Sequence, residues 1–109
     1  MHRDPDDYIL IDFERSGGFT GIPVKVILSD QLLSKDELME IHRLIDSSDF
    51  VRLKEEDVTD NPKPDQFLYK ITVETPFYRH SLVIYEQQIT PDLRPLIRFL
   101  SGKAIRYKK

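Results

Sequence analysis

Three of the four glycines fall in one hexapeptide, Ser16-Gly17-Gly18-Phe19-Thr20-Gly21, between two runs that alternate apolar and polar residues. Glycine reaches backbone angles closed to other residues and lets a second backbone approach. A tight hairpin turn needs one glycine, or two. Three around an aromatic predict a shaped loop with Phe19 near its tip, joining two strands into an antiparallel hairpin. Two fates stay open for Phe19 from the residues alone: folding back to close one end of the core, or standing exposed for recognition.

Tyr8 to Arg15 reads as the first strand, with Ile9, Ile11 and Phe13 on one face and Asp12 and Glu14 on the other. In the second, Ile22, Val24, Val26 and Leu28 alternate; Pro23 has no N–H to give a ladder and must sit where that donor would face outward. Ser34-Lys35-Asp36-Glu37 is a capping box. Leu38, Ile41, Leu44 and Ile45 follow at helical spacing, predicting a helix from Lys35 to Asp46 or Ser47. Phe50, Val51 and Leu53 form a short extended piece or a plug under that helix, and Lys54 to Gln66 is a polar loop.

Phe67 to Glu74 is the third strand, with Phe67, Tyr69, Ile71 and Val73 on one face, and Thr75-Pro76-Phe77 turns the chain. Tyr78 to Glu86 is the fourth; its two faces both carry apolar groups, which predicts a central place in the sheet. Thr90 caps a last helix with Pro91 at its first position, or a few residues later so that Pro95 falls in the first turn; Leu93, Leu96, Ile97 and Leu100 make its apolar stripe and Gly102 its C-cap. The order β-β-α-β-β-α predicts an α+β fold, a four-stranded antiparallel sheet with two helices packed on it. Residues 1–7 are expected to be disordered, 8–102 to form one domain, and 103–109 to be a flexible basic tail.

The 109 residues suffice for one domain with a modest core. The chain has no cysteine, which excludes disulfides and cysteine-based zinc sites and fits a reducing, cytoplasmic setting. No run is apolar enough to span a membrane, and Met1 to Asp7 is too polar and acidic for a signal peptide. The net charge of −3 conceals an asymmetry: residues 1–65 hold 16 acids and 8 bases, residues 66–109 hold 3 acids and 8 bases. The acidic part argues against a nucleic-acid partner, and the basic Arg106-Tyr107-Lys108-Lys109 reads as a solvated terminus.

Catalytic patterns fail on inspection. His2, His42 and His80 are not at metal-ligand spacing. Glu55-Glu56-Asp57 with Asp60 lacks the alternating ligands and turn glycine of a calcium loop. The glycine loop is followed by no Gly-Lys-Ser/Thr and leads into a strand, so it is not a phosphate-binding loop. Ser16 with His80 has neither a strained elbow nor a third partner. No catalytic residue and no metal site is assigned.

Phe13-Glu14-Arg15-Ser16-Gly17-Gly18-Phe19-Thr20-Gly21-Ile22 resembles the N-terminal hairpin of the emfourin family, in which the stretch reads like Arg-Ser-Gly-Gly-Phe-Ala-Gly-Ile, so that Thr20 replaces a common alanine. Pro64-Asp65-Gln66-Phe67-Leu68-Tyr69 is similar to the family's Pro-Asp-x-Phe-x-Tyr segment, and Thr90 to Leu96 to its closing x-Pro-x-x-Leu-Arg-Pro-Leu helix. The resemblance covers most of Tyr8 to Leu100. It implies a small bacterial protein that inhibits M4 (protealysin- or thermolysin-like) zinc metallopeptidases by binding, carries no cofactor and leaves the metal to the enzyme. The expected partner is an M4 metallopeptidase, with no nucleic acid and no membrane, and the expected state a monomer. The partner-binding residues expected are Ser16, Gly17, Gly18, Phe19, Thr20 and Gly21, because enzymes of this kind prefer a large apolar residue just after the cut. Two other classes remain: an interaction domain with a different partner, and a small-ligand protein with a pocket near Tyr69, His80 and Tyr85.

Overall fold

The computed structural model describes residues 8–18, 23–53 and 66–107. The expectations placed on residues 1–7, on Phe19, Thr20 and Gly21, on the acidic cluster from Glu55 to Asp60 and on Lys108-Lys109 lie outside the described residues. Strands β1 (Leu10–Gly17) and β2 (Val24–Ser29) are followed by helix α1 (Lys35–Ser48) and a short 3-10 turn (Phe50–Arg52). Strands β3 (Phe67–Glu74) and β4 (Arg79–Tyr85), a second 3-10 turn (Glu86–Gln88) and helix α2 (Arg94–Tyr107) complete the chain. The α+β fold holds, with the element order β-β-α-β-β-α and every strand pairing antiparallel.

The sheet order is β2-β1-β3-β4. β1 therefore lies between its hairpin partner β2 and β3, and α1 belongs to the crossover that carries the chain over it. The period-2 pattern decides the faces. Ile11 and Phe13 of β1, Val26 and Leu28 of β2, Ile71 and Val73 of β3, and Leu82 and Ile84 of β4 bury themselves under the helices. Ile41, Leu44 and Ile45 of α1 and Leu96, Ile97 and Leu100 of α2 meet them, and Phe50, wholly buried, is the plug under α1. The other face stays open: Leu10, Lys25, Ile27, Lys70 and Arg79 are exposed there.

Local signals account for most element ends. Ser34 Oγ accepts from Glu37 N–H at 3.1 Å while Glu37 Oε1 accepts from Ser34 N–H at 2.9 Å, so the capping box forms as written. Asp49 ends α1 in the left-handed region at φ 59°. Thr75 Oγ1 accepts from the N–H groups of Phe77 and Tyr78, closing the β3–β4 turn. Pro23 sits just before β2, where no ladder bond is asked of it.

Two expectations are corrected, and one is decided between its two alternatives. β4 is an edge strand rather than a central one; Val83 is only half-buried on the open face and Tyr85 is the strand's last residue, next to the 86–88 turn, so the two-sided apolar pattern comes from an open face and a strand end. Of the two starts expected for α2 the later is found: the helix begins at Arg94 and not at Pro91. Thr90 Oγ1 still accepts from Leu93 N–H at 3.2 Å, but it closes a turn ahead of the helix, and Pro95 lies in the first helical turn, where its missing N–H has no helical acceptor to lose. Finally, α2 runs through Gly102 to Tyr107. Lys103 and Ala104, expected in a flexible tail, are buried; these contacts outweigh the ~1 kcal/mol that glycine costs inside a helix.

Candidate functional site

The glycine segment begins at the end of the sheet opposite the β3–β4 turn, and among the described residues its root pairs with β3. The β1–β2 ladder stops at Arg15 with Val24, whereas the β1–β3 ladder continues through Ser16 with Leu68 to Gly17 with Phe67. Gly18 N–H then donates to the Gln66 carbonyl at 3.2 Å. The root is therefore an extension of the β1–β3 pair, which the hairpin reading of residues 16–21 does not contain.

At the root, Gly17 and Gly18 are both required where they stand. Gly17 has φ 84° and Gly18 φ 76°, in the left-handed region. A Cβ on Gly17 would lie 2.6 Å from the Gln66 carbonyl oxygen, and one on Gly18 would lie 2.6 Å from Cε1 of Phe67. Ser16 closes the strand on the open face. Of the six expected partner-binding residues, Ser16, Gly17 and Gly18 are thus brought together at this root; Phe19, Thr20 and Gly21 lie outside the described residues.

On the helix-side face, the same end of the sheet carries Arg15, Phe67 and Tyr69, which lie in the family motifs but are not among the expected partner-binding residues. The Arg15 guanidinium carbon lies 4.5 Å from the centroid of the Phe67 ring, a cation–π contact. Phe67 meets Tyr69 edge-on with centroids 6.3 Å apart, and Tyr69 meets Phe13 at 6.0 Å, so an aromatic row leads from the core to the loop root. Burial, then the charge of Glu86, pushes the Tyr69 phenol above its ordinary value, while the charge of Arg15, its hydrogen bond and the charge of Arg94 pull the other way. Gln66 Nε2 donates to Gln87 Oε1 at 2.9 Å, tying the 86–88 turn to the same end. The sequence signals that touch this group are Arg15 in the Arg-Ser-Gly-Gly-Phe stretch and Phe67 and Tyr69 in the Pro-Asp-x-Phe-x-Tyr segment; the contact of Phe67 with Gly18 is a pairing between distant residues and has no local signature.

Residues 13–101 match the emfourin family. The chain belongs to that family. The matched span takes in the whole glycine hexapeptide, Arg15, Phe67 and Tyr69. Among solved structures, the chain is similar to emfourin (M4in) from Serratia proteamaculans, an M4 family peptidase inhibitor, with 17% sequence identity over 94% of this chain and 96% of that chain and a TM-score of 0.47. No curated protein matches the sequence.

Among the described residues, the emfourin-family chain does not bring Ser16 and His80 together. Ser16 pairs at Leu68 and His80 at Val73, five residues apart along β3 or ~17 Å, too far for a nucleophile and its base. His80 is otherwise engaged: its Nε2–H donates to the Leu53 carbonyl at 2.7 Å and its ring meets Phe50 edge-on at 5.1 Å. Two hollows of about 450 and 300 Å³ lie elsewhere, one on the open sheet face around Asp12, Lys70 and Thr72, the other around Arg98, Phe99 and Gly102; neither is lined by Tyr69, His80 or Tyr85. Among the described residues no group of three or more His, Asp or Glu is placed to hold a metal ion, and no helix is long and apolar enough to cross a membrane.

Proposed function

We propose that this chain is a proteinaceous inhibitor of M4, protealysin- or thermolysin-like, zinc metallopeptidases, and that it blocks the active-site cleft with the glycine-rich loop 16–21. The observation that carries the inhibitor reading is membership of the emfourin family across residues 13–101; the Serratia proteamaculans member of that family is an M4 family peptidase inhibitor. A metallopeptidase cleft holds substrate as an extended strand beside an enzyme edge strand. A backbone laid in that cleft gains affinity from main-chain hydrogen bonds and specificity from side-chain pockets. Phe19 would fill the pocket that takes a large apolar residue. A root fastened to β3 supports the mechanism, because a loop already held in shape loses less freedom on binding and keeps its ends together if it is cut.

Titration of purified protein against thermolysin and a protealysin-like enzyme tests the reading. A buried aromatic anchor contributes ~2 kcal/mol or more, so Phe19→Ala is expected to raise the inhibition constant roughly thirtyfold while the melting temperature stays close to wild type. A large fall in melting temperature with unchanged inhibition would instead make Phe19 a core residue. The wild-type chain is expected to be recovered intact after long incubation with the peptidase; rapid cutting within 16–21 would contradict the mechanism.

A further inference from the structure

Glycine permits a left-handed backbone but does not select one, since it is the residue with most conformational freedom to lose. Two successive glycines at φ 84° and φ 76° therefore need something outside them to choose that geometry. Among the described contacts, two do so: the hydrogen bond from Gly18 N–H to the Gln66 carbonyl, and the Phe67 ring. The position of a Gly18 Cβ would fall 2.6 Å from Phe67 Cε1, 3.1 Å from Cδ1 and 3.2 Å from Cζ, so the Gly18 backbone lies along one edge of the ring. The ring itself is held in place. Arg15 covers its face at 4.5 Å, Tyr69 meets it edge-on, and its own backbone is paired with Gly17.

We infer that Phe67 is a positioning residue for inhibition: its ring, clamped between Arg15 and Tyr69, selects the Gly17–Gly18 conformation and so sets the direction in which the loop leaves the sheet. This rests on the proposed loop mechanism for its effect on inhibition, but not for its effect on the free protein. Without the ring the glycine pair samples other angles, and the loop must be ordered anew each time it binds.

The test uses the full chain with Phe67→Leu, which keeps most of the apolar volume, and Phe67→Tyr, which keeps the ring. In the free protein, two NMR signals report the root: the ring-current shift of the Gly18 α-protons and the exchange rate of the Gly18 amide. In Phe67→Leu the ring-current shift is expected to vanish and the amide to exchange roughly tenfold faster, while amides of Ile11 and Ile71 keep their rates; Phe67→Tyr restores wild-type behaviour. Against an M4 peptidase, Phe67→Leu is expected to inhibit roughly tenfold more weakly and to be cut within 16–24, again with rescue by Phe67→Tyr. An unchanged Gly18 amide in Phe67→Leu overturns the inference. So does unchanged inhibition by Phe67→Leu under conditions where Phe19→Ala loses it, an outcome that leaves the loop mechanism standing. If Phe19→Ala inhibits as well as wild type, the loop mechanism falls, and the two NMR signals alone decide the role of Phe67 at the root.

Discussion

At the scale of single residues, two glycines of one chain have opposite meanings. Gly17 is in the left-handed region and faces a backbone carbonyl that cannot move without breaking the β1–β3 pairing. Gly102 sits inside α2 with nothing within 4 Å of an added Cβ. Gly17→Ala is therefore expected to destabilise the fold by about 2 kcal/mol, combining left-handed strain with displacement of Gln66. Gly102→Ala is expected to stabilise it by about 0.5–1 kcal/mol, the difference in helix propensity. Urea unfolding checks both: the midpoints should move in opposite directions with the slopes unchanged. If Gly17→Ala unfolds at the wild-type midpoint, the root is looser than its geometry states.

At the scale of elements, the join between the two helices rests on one carboxylate with two tasks. Glu37 closes the capping box of α1 with Oε1 and accepts from Lys103 of α2 with Oε2. The lysine side chain is 7% exposed and the glutamate 28%, so the charge with more to lose from a missing partner is the lysine. Removing one member of a buried pair strands the other, which is worse than replacing both by apolar groups. Glu37→Ala is expected to destabilise by about 1–3 kcal/mol, from the buried ammonium's loss of its carboxylate partner and from the lost cap. Adding Lys103→Met to it should recover more than half of that loss, measured as a double-mutant cycle by chemical denaturation. Strict additivity of the two substitutions would show that the pair does not hold α2 against α1.

At the scale of the whole molecule, strand order decides where the fold is most persistent. β1 and β3 are hydrogen-bonded on both sides, β2 and β4 on one. Amide exchange should be slowest at Ile11, Phe13, Ile71 and Val73, and the alternate amides of β2 and β4 that have no sheet partner should exchange at least about a hundredfold faster. Protection of β4 equal to that of β1 would refute the order. The same arrangement explains the design of the loop end: the glycine segment grows from a central strand, so its root inherits the stability of the β1–β3 pair although its hairpin partner stops at Val24.

Periodicity and caps are local, so features that depend on them were legible from short windows of residues. Alternation in residues 9–13, 24–28 and 67–73 assigned the core faces of β1, β2 and β3, Ser34 and Glu37 placed the start of α1, and the bunched glycines marked the place where Gly17 and Gly18 take left-handed angles. The family motifs were legible because they too are local strings. Three features were not legible in that way: β4 is an edge, α2 continues past Gly102 because Lys103 and Ala104 are buried, and Phe67 lies against Gly18. Each of these depends on contacts between residues far apart along the chain, whose free energy outweighs the local preference that a short window of sequence records.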